Sequence, residues 1–360
     1  MVGRSLRSRS VRPAPKLPGH TTDGSPVPDR WRQRGGAMNN PASYYRLAAL
    51  ALLWGSSFLL IKVALEALSP TQVALTRIVL GALVLVALCA VRGIRLRGSA
   101  ALWRRIATAG LFASALPWVL FGVGEQTVAS GLTGVINATT PLWTALFGML
   151  LARETPPKSR LAGLGVGFAG VVLIFAPWQG GDLLTPGVLA CLGAAASYGV
   201  GYVYIGRKLT GESLREHGLS PLALAAMQMI AAAGFAAIAL PIDGLRPVHP
   251  EPLALLSLAV LGVLGTGIAF AMNYRLIADE GATTASSVAY LMPIVSVLLG
   301  WLVLDEQLGA RVLTGMALVL AGVLLLRRSN RPTTEKPRIV RGLLRGSKLY
   351  AELATNHPGK

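Results

Sequence analysis

The chain has 360 residues, of which 53% are hydrophobic and only 14% are charged, and its net charge is +18. A soluble globular domain carries about a quarter charged residues, so this composition excludes that class and indicates a membrane protein. The basic residues lie in the two tails and in alternate loops, and no aromatic platform accompanies them. We therefore expect no nucleic-acid partner, because such tails supply only non-specific attraction.

Ten apolar segments are each long enough to cross a bilayer as a helix. The sequence thus predicts an all-α integral membrane protein with spans near 46–66, 71–91, 104–124, 130–152, 158–178, 186–206, 219–241, 253–274, 282–304 and 309–327. Residues 1–45 are rich in Arg, Pro, Ser and Gly and are expected to form a disordered basic arm, whereas 329–360 form a basic tail. Met38, directly before the first span, is the expected natural start.

The distribution of Lys and Arg predicts the orientation of the spans. If the N-terminus is inside the cell, the inner loops between spans hold twelve basic residues and the outer loops hold two. Because inner loops of membrane proteins are enriched in positive charge, we expect a multi-pass protein of the plasma membrane with both termini in the cytoplasm. With five spans in each half, the second half enters the membrane inverted.

One spaced signature occurs twice, and a shift of 152 residues superposes the two copies. The first copy is Pro141, Gly148, Glu154, Gly163 and Gly170, and the second is Pro293, Gly300, Glu306, Gly315 and Gly322. This repetition predicts a duplicated module over residues 46–178 and 186–328. Internal duplication is typical of secondary transporters, whose substrate site lies between the two halves.

These features resemble the EamA-type transporters of the drug/metabolite transporter superfamily. The residues that carry the resemblance are the two signature copies, Trp54-Gly55-Ser56-Ser57-Phe58 in span one, and Pro70 with Arg77 in span two. The resemblance implies two inverted five-helix repeats around a central cavity, lined by spans 1–4 and 6–9, with spans 5 and 10 at the periphery. It also implies an exporter. Span six lacks an equivalent of the Trp-Gly-Ser motif.

Polar and aromatic side chains inside the spans are the candidate cargo contacts. Asn137 and Thr140 belong to a polar stripe on span four that either lines a cavity or bonds back to its own helix. Aromatic pairs at helical spacing either stack on cargo or simply pack. The predicted substrate pathway comprises Trp54, Ser57, Arg77, Asn137, Thr140, Tyr198, Tyr202, Gln228 and Tyr290.

Four further residues are candidates for a hinge or gate. Pro141 and Pro293 lie near the middle of spans, where proline frees a carbonyl and permits bending; a static kink is the alternative. Glu154 and Glu306 lie at span ends and form either latches, through bases such as Arg160 or Arg311, or solvated end charges.

Lys62 and Arg77 are the two basic residues inside spans. Intramembrane charge is costly and usually functional, so one or both are expected to bind a carboxylate or phosphate of the cargo. The alternative is that they extend to the membrane surface, with Lys62 paired to Glu66 at i+4.

The resulting prediction is a secondary transporter that moves small metabolites, such as amino acids, their analogues or drugs, by alternating access. A channel or a structural membrane partner protein is the alternative. We expect no enzyme, cofactor or metal site, because His and Asp are absent from the predicted spans. Gly163, Gly167 and Gly170 predict close packing of span five on a neighbouring helix or, in a homodimer through the peripheral helices, on a second protomer.

Overall fold

This computed structural model describes residues 41–152, 156–175, 185–209, 218–243, 246–280 and 285–329, and these residues form helices and loops without a β-strand. Eight helices are long and apolar enough to cross a membrane, and two shorter apolar helices follow them. In chain order they are α1 Pro41–Ala64, α2 Pro70–Val91, α3 Ala100–Glu125, α4 Ser130–Leu151, α5 Lys158–Phe175, α6 Pro186–Lys208, α7 Pro221–Ile242, α8 Pro252–Ile277, α9 Val288–Leu304 and α10 Ala310–Leu326.

Helix α1 starts at Pro41, so the prediction that the disordered arm extends to residue 45 was wrong for 41–45. Proline suits the first turn of a helix, because the N–H that it lacks has no partner there. Ser43 is buried against the rest of the molecule, which shows that this first turn packs as part of the fold. The remainder of the predicted arm and nearly all of the predicted tail lie outside the described residues.

Short Ser/Thr-Pro sequences mark the start of three long helices. Ser69, Thr185 and Ser220 each accept a hydrogen bond from a backbone N–H in the first turn, with proline in the next position. At Ser69 the arrangement is a capping box, because Gln72 also accepts a bond of 2.9 Å from the Ser69 N–H. These caps satisfy backbone donors that the helix itself leaves unpaired.

Helices α3 and α8 repeat the same irregularity. Each has 26 residues, and each contains a π-helical segment, Leu111–Ala115 in α3 and Val260–Ile268 in α8. A Cβ added at Gly110 would lie 2.9 Å from the Gln228 carbonyl oxygen, and one at Gly262 would lie 3.3 Å from that of Arg77. Helix α3 therefore packs closely on α7, whereas α8 packs on α2, so the contacts cross between the two halves.

Helices α5 and α10 pack chiefly on each other through the glycines of the repeated signature. A Cβ added at Gly163 would lie 3.0 Å from the Gly322 carbonyl oxygen, and one at Gly170 would lie 2.7 Å from that of Gly315. Gly163, nearer the start of α5, lies beside Gly322, nearer the end of α10, so the two helices are antiparallel. The glycine face of α5 is thus covered by α10 of the same chain, which is the first of the two expected alternatives.

The two signature prolines have different local structures. Helix α4 is interrupted by a turn at Ala138–Thr139, and Pro141 is the second residue of the segment that restarts after it. Pro293 lies inside a continuous stretch of α9. Helix α1 also breaks, at Ser56, whereas its counterpart α6 is continuous from Pro186 to Lys208. The duplicated fold is therefore asymmetric where it borders the centre.

Candidate functional site

A cavity of about 820 Å³ lies among the helices, a volume typical of small-molecule sites. Its wall brings together all nine residues of the predicted substrate pathway: Trp54, Ser57, Arg77, Asn137, Thr140, Tyr198, Tyr202, Gln228 and Tyr290. Pro141 also lies in the wall, whereas Pro293 is not among the described wall residues. The part that these residues play in handling cargo stays a prediction, but the structure places them around one space.

Arg77 is the most constrained polar group of this wall. Its side chain is only 7% exposed, and its Nε–H donates a 3.0 Å hydrogen bond to Thr266 Oγ1 in the π segment of α8. The guanidinium lies 4.0 Å from the centre of the Trp118 ring, a cation–π contact worth up to about 2 kcal/mol when water is excluded. No described carboxylate is within ion-pair distance of Arg77. Its terminal nitrogens are therefore left to face the cavity.

A neutral counterpart of the Arg77–Thr266 pair lies in the other half. Gln228 is the eighth residue of α7, as Arg77 is the eighth residue of α2. Its Nε2 donates a 3.0 Å bond to Ser114 Oγ in the π segment of α3. Ser114 and Thr266 are separated by the repeat shift of 152 residues. The duplication has thus produced two equivalent polar pairs, of which one carries a positive charge.

Aromatic side chains extend from this charged pair along the wall. The Trp118 Nε1–H donates to the Tyr198 hydroxyl, and the Tyr198 ring stacks on Tyr202 with centroids 5.6 Å apart. Trp54 meets Phe270 edge to face at 6.0 Å, and its Nε1–H donates to the Gly265 carbonyl at 3.1 Å. These bonds fix the indole and phenol rings, so the aromatic surface is preorganised.

Some hydroxyl groups of the wall bond back to their own helix, whereas one on α4 does not. Thr144 bonds back to the Thr140 carbonyl at 2.9 Å, and Ser57 on α1 bonds back to the Leu53 carbonyl at 3.0 Å. The Thr140 hydroxyl, however, is buried with no hydrogen-bond partner among the described residues. A buried polar group without a partner costs free energy, and Thr140 is a residue of the cavity wall.

The residues of the cavity wall differ in exposure. At one end, called the closed end below, Phe58 and Phe121 meet edge to face with centroids 5.7 Å apart, and they are 4% and 3% exposed. Toward the opposite end Tyr202 is 48% exposed. The described wall continues there to helix ends, at Arg160 on α5 and Leu326 on α10.

Lys62 lies beyond the closed end rather than in the cavity wall. Its ammonium donates to the backbone carbonyls of Glu125 at 2.6 Å and Val128 at 3.1 Å. The structure thus shows a contact with these backbone carbonyls in place of the Glu66 pairing, whereas the cargo contact expected for Lys62 stays a prediction. The carbonyls at the C-terminal end of a helix have no intrahelical donor and carry partial negative charge, so they attract this cation.

Sequence reasoning did not single out Glu125 as a site residue. It is the last residue of α3 and looked like an end charge, yet it is fully buried, and neither carboxylate oxygen has a hydrogen-bond partner among the described residues. It lies one turn beyond Phe121 on the same helix face. Lys62, Glu306 and Arg77 act on it electrostatically. A periodicity count from Trp118 and Phe121 to Glu125 was the available signal.

Glu306 caps the start of α4. Its carboxylate accepts bonds from the N–H groups of Ser130 at 2.7 Å and Gly131 at 2.8 Å, and from the Ser130 hydroxyl at 3.1 Å. A Cβ on Gly300 would collide with this carboxylate, which explains the glycine six residues earlier in the signature. Glu306 therefore binds a helix N-terminus, a partner that the sequence did not suggest. Glu154 lies outside the described residues.

Comparisons with known proteins agree with this arrangement. The model of the EamA-like transporter family matches residues 43–176 and 185–328. The chain is 30% identical over 259 residues to the uncharacterized inner membrane transporter YedA of Escherichia coli K12, covering 71% of this chain and 80% of that protein. It is 27% identical over 283 residues to the uncharacterized transporter YvbV of Bacillus subtilis, covering 78% and 90%.

A solved crystal structure has the same fold. It superposes with a TM-score of 0.56 over 81% of this chain and 99% of its own length, at 23% identity, which shows likeness of fold alone. The family model covers most of both halves of the chain, and YedA and YvbV are matched over most of their length. This chain is therefore a multi-pass membrane protein that belongs to the EamA-like transporter family.

Proposed function

We propose that the ten helices all cross the membrane as two inverted five-helix repeats, over residues 46–178 and 186–328. The antiparallel packing of α5 on α10 supports the inversion, because these helices are equivalent members of the two halves. The family model, which matches residues 43–176 and 185–328, supports the same division. Contacts between α2 and the loop before α8, such as the bond from Gln72 Nε2 to the Arg246 carbonyl, join loops that the topology places on one side.

The membrane in this proposal is the plasma membrane, and both termini are cytoplasmic. The excess of Lys and Arg in alternate loops supports this orientation, and one relative carries the name of an inner membrane transporter. The closed end of the cavity, at Phe58 and Phe121, is then the outer end. The accessible wall, toward Arg160 and Leu326, faces the cytoplasm.

In this orientation the protein is a secondary transporter that moves small metabolites across the membrane by alternating access, in the export direction. The observation that carries the proposal is a cavity whose wall is buried at Phe58 and Phe121 and more exposed at Tyr202, and which is lined by the guanidinium-bearing Arg77. A cavity of that kind can load cargo from one solution while the other end is sealed. Rearrangement of the broken helices α1 and α4, which border the seal, would open it.

Two other classes fit the site less well. A channel needs a continuous path, whereas the buried Phe58–Phe121 pair interrupts this one. A structural partner protein needs no cavity with polar groups held ready inside it. An enzyme needs an acid, base or nucleophile where substrate binds, and no described wall residue is Asp, Glu, His or Cys. A homodimer through the peripheral helices has no support, because α10 covers the glycine face of α5.

Uptake by proteoliposomes tests the proposal. Vesicles that contain the purified protein are incubated with a mixed metabolite panel, with and without a proton gradient, and their contents are measured by mass spectrometry. Gly148 lies in the cavity wall, and a Cβ added there would lie 3.9 Å from the nearest atom of another helix. Gly165 lies outside the cavity wall, and a Cβ added there would meet open space. Saturable uptake should be lost in Gly148→Trp and kept in Gly165→Trp. Equal uptake by the two variants would contradict transport through this cavity.

A further inference from the structure

One charge of the cavity wall, that of Arg77, lies at a position where the two halves differ. Arg77 and Gln228 occupy equivalent positions and bind equivalent hydroxyls, Thr266 and Ser114, at the same distance of 3.0 Å. A glutamine already serves to hold the π segment in one half. The geometry of the helix pair therefore does not require a guanidinium in the other half, and the charge needs a different explanation.

The Arg77 guanidinium is bound on one side and unused on the other. Its Nε–H bonds Thr266 and its flat face covers Trp118, which leaves the four N–H groups of its terminal nitrogens. Glu125 acts on it only through longer-range electrostatics, without an ion pair or hydrogen bond. A planar fork of N–H donors at the edge of a cavity matches a carboxylate.

The rest of the described wall offers no carboxylate to a positive charge on the cargo. None of the described wall residues is acidic, so an ammonium group would be desolvated there without a counter-charge. The other basic wall residue, Arg160, lies at the accessible end and already has an interaction within the protein. Nine described wall residues are aromatic: Trp54, Phe58, Trp118, Phe121, Tyr198, Tyr202, Phe270, Tyr274 and Tyr290.

We propose that the cargo is an aromatic monocarboxylate without an amino group, held by its carboxylate on Arg77 and by its ring against the aromatic wall. The proposal rests on the transport function proposed above and names its substrate class. Ring stacking and a two-point contact with a guanidinium together define the orientation of the cargo. The amide of Gln228, on the equivalent position across the cavity, is left to contact a neutral part of it.

Three compounds with the same phenyl ring test this assignment: 3-phenylpropionate, phenylalanine, which adds an ammonium group, and phenethylamine, which lacks the carboxylate. Binding is measured by quenching of tryptophan fluorescence, since Trp54 and Trp118 lie in the wall, and exchange by counterflow in proteoliposomes. We expect 3-phenylpropionate to bind about 10- to 100-fold more tightly than phenylalanine, because the ammonium would be buried without a carboxylate counter-charge. Phenethylamine should not be exchanged.

Variants separate the charge from the packing. Arg77→Gln copies the residue at the equivalent position and should weaken 3-phenylpropionate binding about 10- to 100-fold, the usual effect of losing a charged hydrogen-bond partner. Arg77→Lys should recover part of the affinity, and Arg246→Gln, in an exposed loop, should change nothing. The preference of the wild-type protein among the three compounds needs no variant, so a folding defect at Arg77 does not affect it.

Several results would overturn the inference. Preference for phenylalanine or phenethylamine, no binding of any of the three compounds, or unchanged 3-phenylpropionate affinity in Arg77→Gln would each do so. If another compound class shows exchange that Gly148→Trp blocks, the transporter stands and the aromatic carboxylate assignment fails. If no compound of the broad panel is exchanged, the proposed function itself fails.

Discussion

The carboxylate of Glu306 links the end of α9 to the start of α4, and removing it should weaken the fold by a predictable amount. Three hydrogen bonds of 2.7 to 3.1 Å end on this carboxylate. Hydrogen bonds to charged groups are worth about 1.5–3 kcal/mol each, but their losses are not additive. Glu306 is partly accessible to solvent, so water would replace some of the lost bonds.

We therefore expect Glu306→Ala to lower the free energy of unfolding by about 2–4 kcal/mol. Glu306→Gln keeps one acceptor oxygen and loses the charge at the helix N-terminus, so it should cost about half as much. The free energy of unfolding is measured by denaturant titration of the purified protein in detergent micelles. Gly300→Ala should resemble Glu306→Ala, because its methyl group would displace the same carboxylate.

A matched control is Arg311→Ala, which removes the base that the sequence suggested as the partner of Glu306. The helix-cap explanation predicts that this change costs much less than Glu306→Ala. If the two variants lose the same stability, or if Glu306→Ala stays within about 0.5 kcal/mol of wild type, the range of an ordinary surface substitution, the explanation is wrong.

Three further predictions concern packing, bending and buried charge. Gly322→Val should lower the free energy of unfolding by about 1–3 kcal/mol, because the larger side chain overpacks the contact between α5 and α10. Gly165→Val, where the added side chain enters open space, should lower it clearly less. Equal losses would contradict the packing explanation. Pro141→Ala and Pro293→Ala should each slow turnover in counterflow more than they weaken cargo binding, and equal loss of both would indicate misfolding. Glu125→Gln should cost less than about 1 kcal/mol in a denaturant titration, since no hydrogen bond to the carboxylate is lost; a larger loss would show that the carboxylate pairs with a base.

Hydropathy alone predicted the ten helices, because a bilayer-spanning helix must satisfy its backbone internally and face lipid with apolar residues. The predicted and observed helices agree within several residues, and α1 begins five residues earlier than predicted. There residues 41–45 resemble the arm in local composition, and the buried side of the first turn shows only in the fold. Whether all ten helices cross the membrane stays a prediction.

The repeated signature was readable as a duplication, but its physical basis needed the structure. Gly300 and Glu306 are spaced so that the carboxylate folds back over the glycine and reaches α4, which is distant in sequence. Gly163 and Gly322 meet each other across two helices. Spacing within one copy contains no information about such partners, so the sequence left open a neighbouring helix or a second protomer.

The wall of the site was predictable where polar or aromatic residues interrupt apolar helices, as at Asn137 and Gln228. Two features were not. The π segments of α3 and α8 have no clear sequence pattern, because a single extra backbone residue per turn leaves the composition unchanged. The equivalence of Arg77 and Gln228 could in principle be predicted, because α2 and α7 both begin at the proline of a Ser-Pro pair. It is not evident from the residue types, since one is charged and the other is neutral.

The accessibility of the cavity from the two sides of the membrane tests the account most directly. Thr144 lies in the wall, and the native cysteines, Cys89 and Cys191, are buried and free. In vesicles, Thr144→Cys should react with a membrane-impermeant thiol reagent from the cytoplasmic side and, as the protein cycles, from the outer side. Bridging Phe58→Cys to Phe121→Cys with a short bifunctional reagent should abolish outer labelling and transport while inner labelling persists. Outer labelling of the bridged protein would contradict alternating access through this cavity. The absence of outer labelling in the unbridged protein would contradict it as well.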